Sequence, residues 1–320
     1  MPSILSIGAG IAGLAAARKL MQKGHTVTVL DKGRGVGGRM ATRRMEQSRA
    51  DHGAQYFTAH SPKFSVFVEE LLLNSVAGIW PVAGPDNDRL PYIGRDGMSA
   101  IPKYLAQKLN VVTGERVVRL EKIDRAGAPG WRATAETGHT FEADQVLLSM
   151  PAPQVLTLLQ DSGLDSTDID LNALQAITYT PCIAVIAVLS APTAIPKPGA
   201  FRPEQGPVAW VADNYQKGIS PNQPSVTIQA GSAFSLAHFD DDLTTVGQTL
   251  LQSVVSVVSP DQVVSFQVHR WRYSLTETRH PEPFLRAHTD APLLVGGDGF
   301  GPGNVEGAYL SGLAMAEALG

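Results

Sequence analysis

Apolar and polar positions near the start of the chain alternate between two periods. Ser3-Ile4-Leu5-Ser6-Ile7 reads as a short buried strand, Ile11 to Lys23 as an Ala-rich helix, and Thr26-Val27-Thr28-Val29-Leu30 as a second strand ending in Asp31. Residues 64 to 73 are apolar at helical spacing, and Asn74 to Pro91 is loop-rich. Val117 to Ile123 and Trp131 to Phe141 predict strands joined by a turn around Gly127 to Gly130, and Asp144 to Met150 is another buried strand, stopped by Pro151. Four β-rich runs follow, at Cys182 to Leu189, Val208 to Ala212, Val226 to Ala230 and Val263 to Tyr273, with a helix predicted over Asp241 to Val258. A strand at Leu293 to Gly296 and a small-residue helix to Leu319 close the chain. The pattern is α/β, with strand-helix-strand units at the ends and a β-rich section between them.

Gly8-Ala9-Gly10-Ile11-Ala12-Gly13 sits at the turn between the first strand and the first helix. Gly8 permits the tight turn, Gly10 lets backbone approach a pyrophosphate, Gly13 lets the helix pack on the strand, and the free N–H groups around Ile11 and Ala12 face the anion. Asp31 lies 18 residues beyond Gly13, where a carboxylate accepts hydrogen bonds from ribose hydroxyls. Together these features make a dinucleotide site. In Lys32-Gly33-Arg34-Gly35-Val36-Gly37-Gly38-Arg39, Gly37 and Gly38 allow close backbone approach and Arg39 can reach a phosphate or a flavin. The rival reading makes Lys32 and Arg34 a clamp for the 2′-phosphate of NADP, but Asp31 would repel that phosphate.

Length and charge narrow the choice. The chain has 320 residues, enough for two domains, and a net charge of -4, which gives no global field for collecting nucleic acid or an acidic membrane surface. The single cysteine, Cys182, excludes an internal disulfide and a Cys-based zinc site. The histidines follow no HExxH-type spacing, so no metal is expected. Met1 to Ala17 is apolar but lacks a basic leader, and Arg18 and Lys19 close it before it could span a bilayer, so the expected setting is cytoplasmic.

GxGxxG, the acid ending the second strand, the Gly38-Arg39 element, and Gly296-Gly297-Asp298 followed by Asn304-Val305-Glu306-Gly307-Ala308 together resemble the FAD-dependent amine oxidase superfamily. Within it, Gly37-Gly38-Arg39-Met40-Ala41-Thr42-Arg43-Arg44, Asp51-His52-Gly53-Ala54-Gln55-Tyr56-Phe57 and Arg270-Trp271-Arg272-Tyr273-Ser274 are similar to the renalase-like branch. The resemblance implies a discontinuous Rossmann-type FAD-binding domain from 1–60, 96–152 and 287–320. It also implies an α+β substrate domain on a mixed or antiparallel sheet from 61–95 and 153–286, in a p-hydroxybenzoate hydroxylase-like arrangement. It implies non-covalent FAD, with Asp298 at the ribityl or phosphate part and further cofactor contacts from Val117, Gly297, Asn304, Val305 and Glu306. The implied reaction oxidises isomeric dihydronicotinamide dinucleotides and delivers electrons to O2.

Two departures from amine-oxidising members matter. Those enzymes place a lysine of the substrate domain near the flavin, whereas Lys197 and Lys217 here lie in Pro/Gly-rich segments and are expected on the surface. They also carry an aromatic residue where this chain has Asn304, whose amide suits a carboxamide better than an amine; the alternative is that Asn304 caps the last helix. His52, Tyr92, His238, Trp271 and Tyr273 are further candidates around the substrate, and Arg202, Arg270 and Arg272 are candidates for its pyrophosphate. An amine oxidase and a flavin-binding redox sensor stand as alternative functions.

Overall fold

Ser3–Ile7 is buried along nearly its whole length because strands pair with it on both sides: Thr26–Asp31 and Gln145–Leu148, both parallel. The computed structural model describes residues 1–82 and 89–319, so part of the expected loop before Pro91 lies outside the described residues. The first sheet runs, edge to edge, Phe284–Arg286, Leu293–Gly296, Gln145–Leu148, Ser3–Ile7, Thr26–Asp31 and Asn110–Thr113. All its pairings are parallel except that of Phe284–Arg286. The glycine-rich turn therefore leaves the central strand where the sheet's connections diverge, the switch point at which open α/β sheets bind ligands.

Helix Ile11–Gln22 packs on the last helix, Asn304–Leu319, so closely that a Cβ on Gly312 would lie 2.2 Å from the carbonyl oxygen of Ala12. Helix Pro62–Leu73 ends where expected and starts two residues before the apolar run, with the Ser61 side chain accepting from the Phe64 N–H. The expected single strand from Trp131 to Phe141 is instead two, Ala128–Ala135 and Thr140–Ala143, because Gly138 turns the chain at φ +88°. With Val117–Arg125 they form a three-stranded antiparallel layer that covers Trp131 completely.

The second sheet is five-stranded and antiparallel, in the order Ala200–Phe201, Val208–Asp213, Ser225–Ala230, Thr178–Leu189 and Val263–Thr278. One face buries Ile183, Val185, Val211 and Ile228 against Val246 and Leu250 of helix Leu243–Gln252. That helix is shorter than its apolar run, because Val254, Val255, Val257 and Val258 are β-branched and the chain turns there instead. The other face presents Ile186 and Val188 to Met45 and Ala50 of the hairpin Thr42–Met45/Ser48–Asp51, which belongs to the cofactor side. Strand Phe284–Arg286, which the sequence grouped with the substrate portion, joins the first sheet; the chain leaves the second sheet at Thr278 and passes Pro281 and Pro283 first.

Because the contact at Gly312 is with backbone, Gly312→Ala should lower the unfolding free energy by about 1–3 kcal/mol. Gly35→Ala, with open space around its Cβ position, should be near neutral. Urea midpoints of the two variants check this.

Candidate cofactor and substrate site

The three glycines of the first turn do different jobs. Gly8 needs its positive φ of 110°, and a Cβ there would lie 2.6 Å from Ser149 Oγ. Gly13 is fixed by packing, since its Cβ would stand 2.0 Å from the Gly8 carbonyl oxygen. Gly10 has neither reason: it is at φ -73°, and no atom of the chain lies within 4 Å of a Cβ placed on it. Nothing in the protein itself forbids a side chain at Gly10, so its absence clears space for something else. Gly10 also caps helix Ile11–Gln22 without a side-chain bond, and the helix has no acid in its first turn, so its N–H groups face that space uncompensated. Asp31 borders it, with Oδ2 accepting from the Ala9 N–H at 2.7 Å and Oδ1 from the Gly33 N–H at 2.7 Å. Val117 and exposed Lys32 lie beyond, where the Glu115 N–H donates to the Asp31 carbonyl. An open space over a glycine, free helix N–H groups and a flanking carboxylate fit the ADP half of FAD.

The second end of the chain arrives through one ion pair. Arg39 Nη1 and Nη2 donate to both oxygens of Asp298 at 2.6 and 2.7 Å, while Nη1 also reaches the Tyr273 carbonyl at 3.2 Å. Thr276 Oγ1 adds a bond to Asp298 Oδ2 at 2.7 Å. The Asp298 carboxylate is thus engaged by protein. Gly297, at φ 134°, lies against Ser149. Gly38, at φ 54°, approaches Gly10, and the Gly37 N–H donates to the Ala9 carbonyl. Glu306 is buried with its carboxylate accepting from the N–H groups of His60 and Ser61, so only its backbone remains for a cofactor. Half-buried Val305 precedes it. Asn304 is exposed, makes no side-chain hydrogen bond among the described residues, and holds φ +57°, a left-handed conformation that asparagine adopts more readily than other residues with a Cβ. It does not cap the helix.

Residues 52–56 cross the second sheet from strand to strand. The His52 carbonyl accepts from Trp271 Nε1 at 2.7 Å, the Gly53 carbonyl from Gln229 Nε2 at 2.7 Å, and the Tyr56 ring lies 5.8 Å from that of Trp210. His52, His269 and Trp271 form a cluster with ring centres 4.2 to 5.3 Å apart. Burial, then the neighbouring His269 and Arg43, push His52 down from 6.5 to about 3; burial and Arg43 also lower His269. His52 Nδ1 is buried without a partner. Tyr273 stands edge-on to Tyr179, and Tyr92 packs on Phe57.

Other candidates are not brought together. His238 follows helix Ser232–Ala237, stacks on Phe234 and pairs with Asp241, on the side of the sheet facing away from His52. Arg270 and Arg272 also face that side and engage Phe239. Both were candidates because long strand residues alternate faces invisibly when Arg, Trp and Tyr follow one another. Arg202 alone of the three lies on the cofactor-facing side, over the Trp210 ring at 4.8 Å. The expectation that Lys217 is exposed is wrong. Its side chain is completely buried and paired with Asp51, because the turn at 214–220 folds inward onto Trp80.

The profile of the flavin-containing amine oxidoreductase family matches residues 85–320, and that of NAD(P)-binding Rossmann-like domains matches residues 7–71. The chain belongs to the flavin-containing amine oxidoreductase family. It is a Rossmann-type, FAD-dependent oxidoreductase. Renalase of Mus musculus is 26% identical over 345 aligned residues, covering 100% of this chain and 99% of that protein, which marks this chain as renalase-like. A putative protoporphyrinogen oxidase from Exiguobacterium sp. 255-15 shares the fold, with a TM-score of 0.73 at 14% identity over 99% of this chain and 98% of that one. An engineered putrescine oxidase does so with a TM-score of 0.71 at 15% identity over the same shares. Among the described residues, no helix is long and apolar enough to cross a membrane.

Gly10→Asp separates cofactor binding from folding. An acid at this cap should keep or raise apoprotein stability, by up to about 1 kcal/mol. It should also weaken FAD binding by at least about tenfold through bulk and charge, as read by urea unfolding and by FAD titration. His52 gives a pH prediction. Its folded-state pKa is depressed, so the stability it permits is complete above its unfolded value of 6.5 and is lost as pH falls toward about 3. Between pH 7.5 and 5, His52→Leu should remove about 2 kcal/mol of the acid-induced loss of stability, measured by urea unfolding at both pH values.

Proposed function

We propose that this protein oxidises 2- or 6-dihydro isomers of NAD(P)H to NAD(P)+, with FAD held non-covalently and O2 as the final acceptor, giving H2O2. The observation that carries this reading is Asn304: an exposed amide, without a side-chain partner among the described residues, at the start of the helix that ends the cofactor cradle. Bound FAD supplies the two-electron acceptor. The chain's own task is to lay a flat donor in position and to surround it correctly. The Asn304 amide has the donors and acceptor that a nicotinamide carboxamide needs. The neutral His52 and His269 put no charge of their own beside a ring that becomes cationic as hydride leaves. Arg202 is the arginine of the three candidates available to the substrate's phosphates. Non-covalent attachment is supported at the sole cysteine: Cys182 is buried, and burial pushes its thiol up to about 12.

Full-length similarity to mouse renalase supports the same reading. Buried Lys217 does not revive amine oxidation, because its ammonium is closed between Asp51 and the Gln55 carbonyl.

Anaerobic mixing of the flavoprotein with borohydride-derived dihydronicotinamide isomers, and separately with a panel of amines, tests the proposal. Rapid bleaching by the isomers alone is expected; bleaching by amines alone, or by neither, overturns it. Asn304→Ala should raise KM for the isomers about tenfold, the value of one good hydrogen bond. Arg202→Ala should raise KM for dinucleotide donors and leave phosphate-free dihydronicotinamide riboside donors unchanged, checked by steady-state kinetics on both.

A further inference from the structure

Lys217 has no part in the chemistry above, yet it occupies one of the most enclosed positions in the molecule. Its side chain and that of Asp51 are both at 0% exposure. Nζ donates to Asp51 Oδ2 at 2.7 Å and to the Gln55 carbonyl at 2.7 Å, and lies 4.8 Å from the centre of the Trp80 ring. The other Asp51 oxygen accepts from Thr42 Oγ1 at 2.6 Å and from the Met98 N–H at 2.8 Å. The pair therefore joins four places in the chain: the 214–220 turn, the hairpin at Thr42 and Asp51, Gln55 and Met98. An apolar pair of the same volume would serve stability as well or better, since two charges must be stripped of water to be placed here. The arrangement calls for a positional explanation.

What lies between the two gripped points is His52-Gly53-Ala54. The His52 N–H donates to the Ala41 carbonyl at 3.2 Å and the Ala54 N–H to the Arg39 carbonyl at 2.9 Å. Gly53 rests on Arg39 so tightly that a Cβ would lie 2.0 Å from its carbonyl oxygen. One ammonium thus closes a loop whose middle fixes the backbone of Arg39, and Arg39 in turn holds Asp298. Lys217 comes from the second sheet's turn, so the grip reaches from the substrate side into the cofactor cradle.

We propose that Lys217 is a positioning residue for FAD: by tying Asp51 to Gln55 it presses the 51–55 loop onto Arg39 and sets where the Arg39 guanidinium meets Asp298 and the cofactor. The proposal rests on flavin binding alone, so a failure of the dihydronicotinamide reading leaves it standing.

Three variants test it: K217M, which removes charge and donors; K217Q, which keeps an N–H donor; and D51N/K217M, which removes the donors without leaving a buried unpaired charge. FAD dissociation constants, the midpoint potential of the bound flavin by dye equilibration, and urea unfolding of the apoproteins are measured for each. K217M should raise the FAD dissociation constant at least about tenfold and shift the potential, with partial recovery in K217Q. D51N/K217M should recover most of the apoprotein stability but not the FAD affinity; should K217M not fold, this double variant carries the measurement. Wild-type affinity and potential in D51N/K217M, whatever its stability, would overturn the proposal.

Discussion

Arg39 and Asp298 are separated by 259 residues, and their bidentate contact brings the glycine-rich beginning of the chain to the Gly-Asp turn near its end. Planar guanidinium and carboxylate meet in only one good orientation, so the contact fixes direction as well as distance. The pair is mostly shielded, with side-chain exposures of 28% and 14%, and it is supported by the Tyr273 carbonyl on the Arg39 side and by Thr276 on the Asp298 side. Both of those residues belong to the long strand of the second sheet. The two sheets and the two chain ends therefore converge on one ion pair, which adds direction to the packing of the first and last helices and to the pairing of Leu293–Gly296 in the first sheet.

Around it, two helices point their N-termini in the same service. Helix Ile11–Gln22 begins on an unadorned glycine, and helix Asn304–Leu319 begins on an asparagine in left-handed conformation. These helices also pack against one another with no room for a methyl group at Gly312. A dipole-based site gains from such rigidity, because partial charges that need not reorganise stabilise a ligand more effectively than mobile ones.

Much of this was legible beforehand, and for identifiable reasons. The period-2 and period-3.6 runs located the first helix, the four central strands of the first sheet and four strands of the second, since each buries a continuous apolar face, while the edge strands Asn110–Thr113, Phe284–Arg286 and Ala200–Phe201 carry no such run. The roles of Gly8 and Gly13 followed from spacing, because they depend on local backbone alone. What stayed hidden depends on which way a side chain faces after long-range folding. Lys217 sits among Pro, Gly and Asn, a composition that normally marks surface, and partners far away in sequence, Asp51 and the Gln55 carbonyl, draw it inward. Glu306 was read as a cofactor contact from its motif, yet its carboxylate goes to the start of helix Pro62–Leu73. Alternation along the long strand puts Trp271 on one face and Arg270 and Arg272 on the other, and no local pattern announces which face will meet the cofactor side.

The crossing segment 52–56 has one more implication. Trp271, Gln229, Thr227 and Lys217, all from the second sheet or its turns, each hold a carbonyl oxygen of residues 51–55. Hinging the two halves apart would rupture all of these bonds at once and strand a buried charge. Separating the halves is accordingly a costly route for traffic in and out of the active centre.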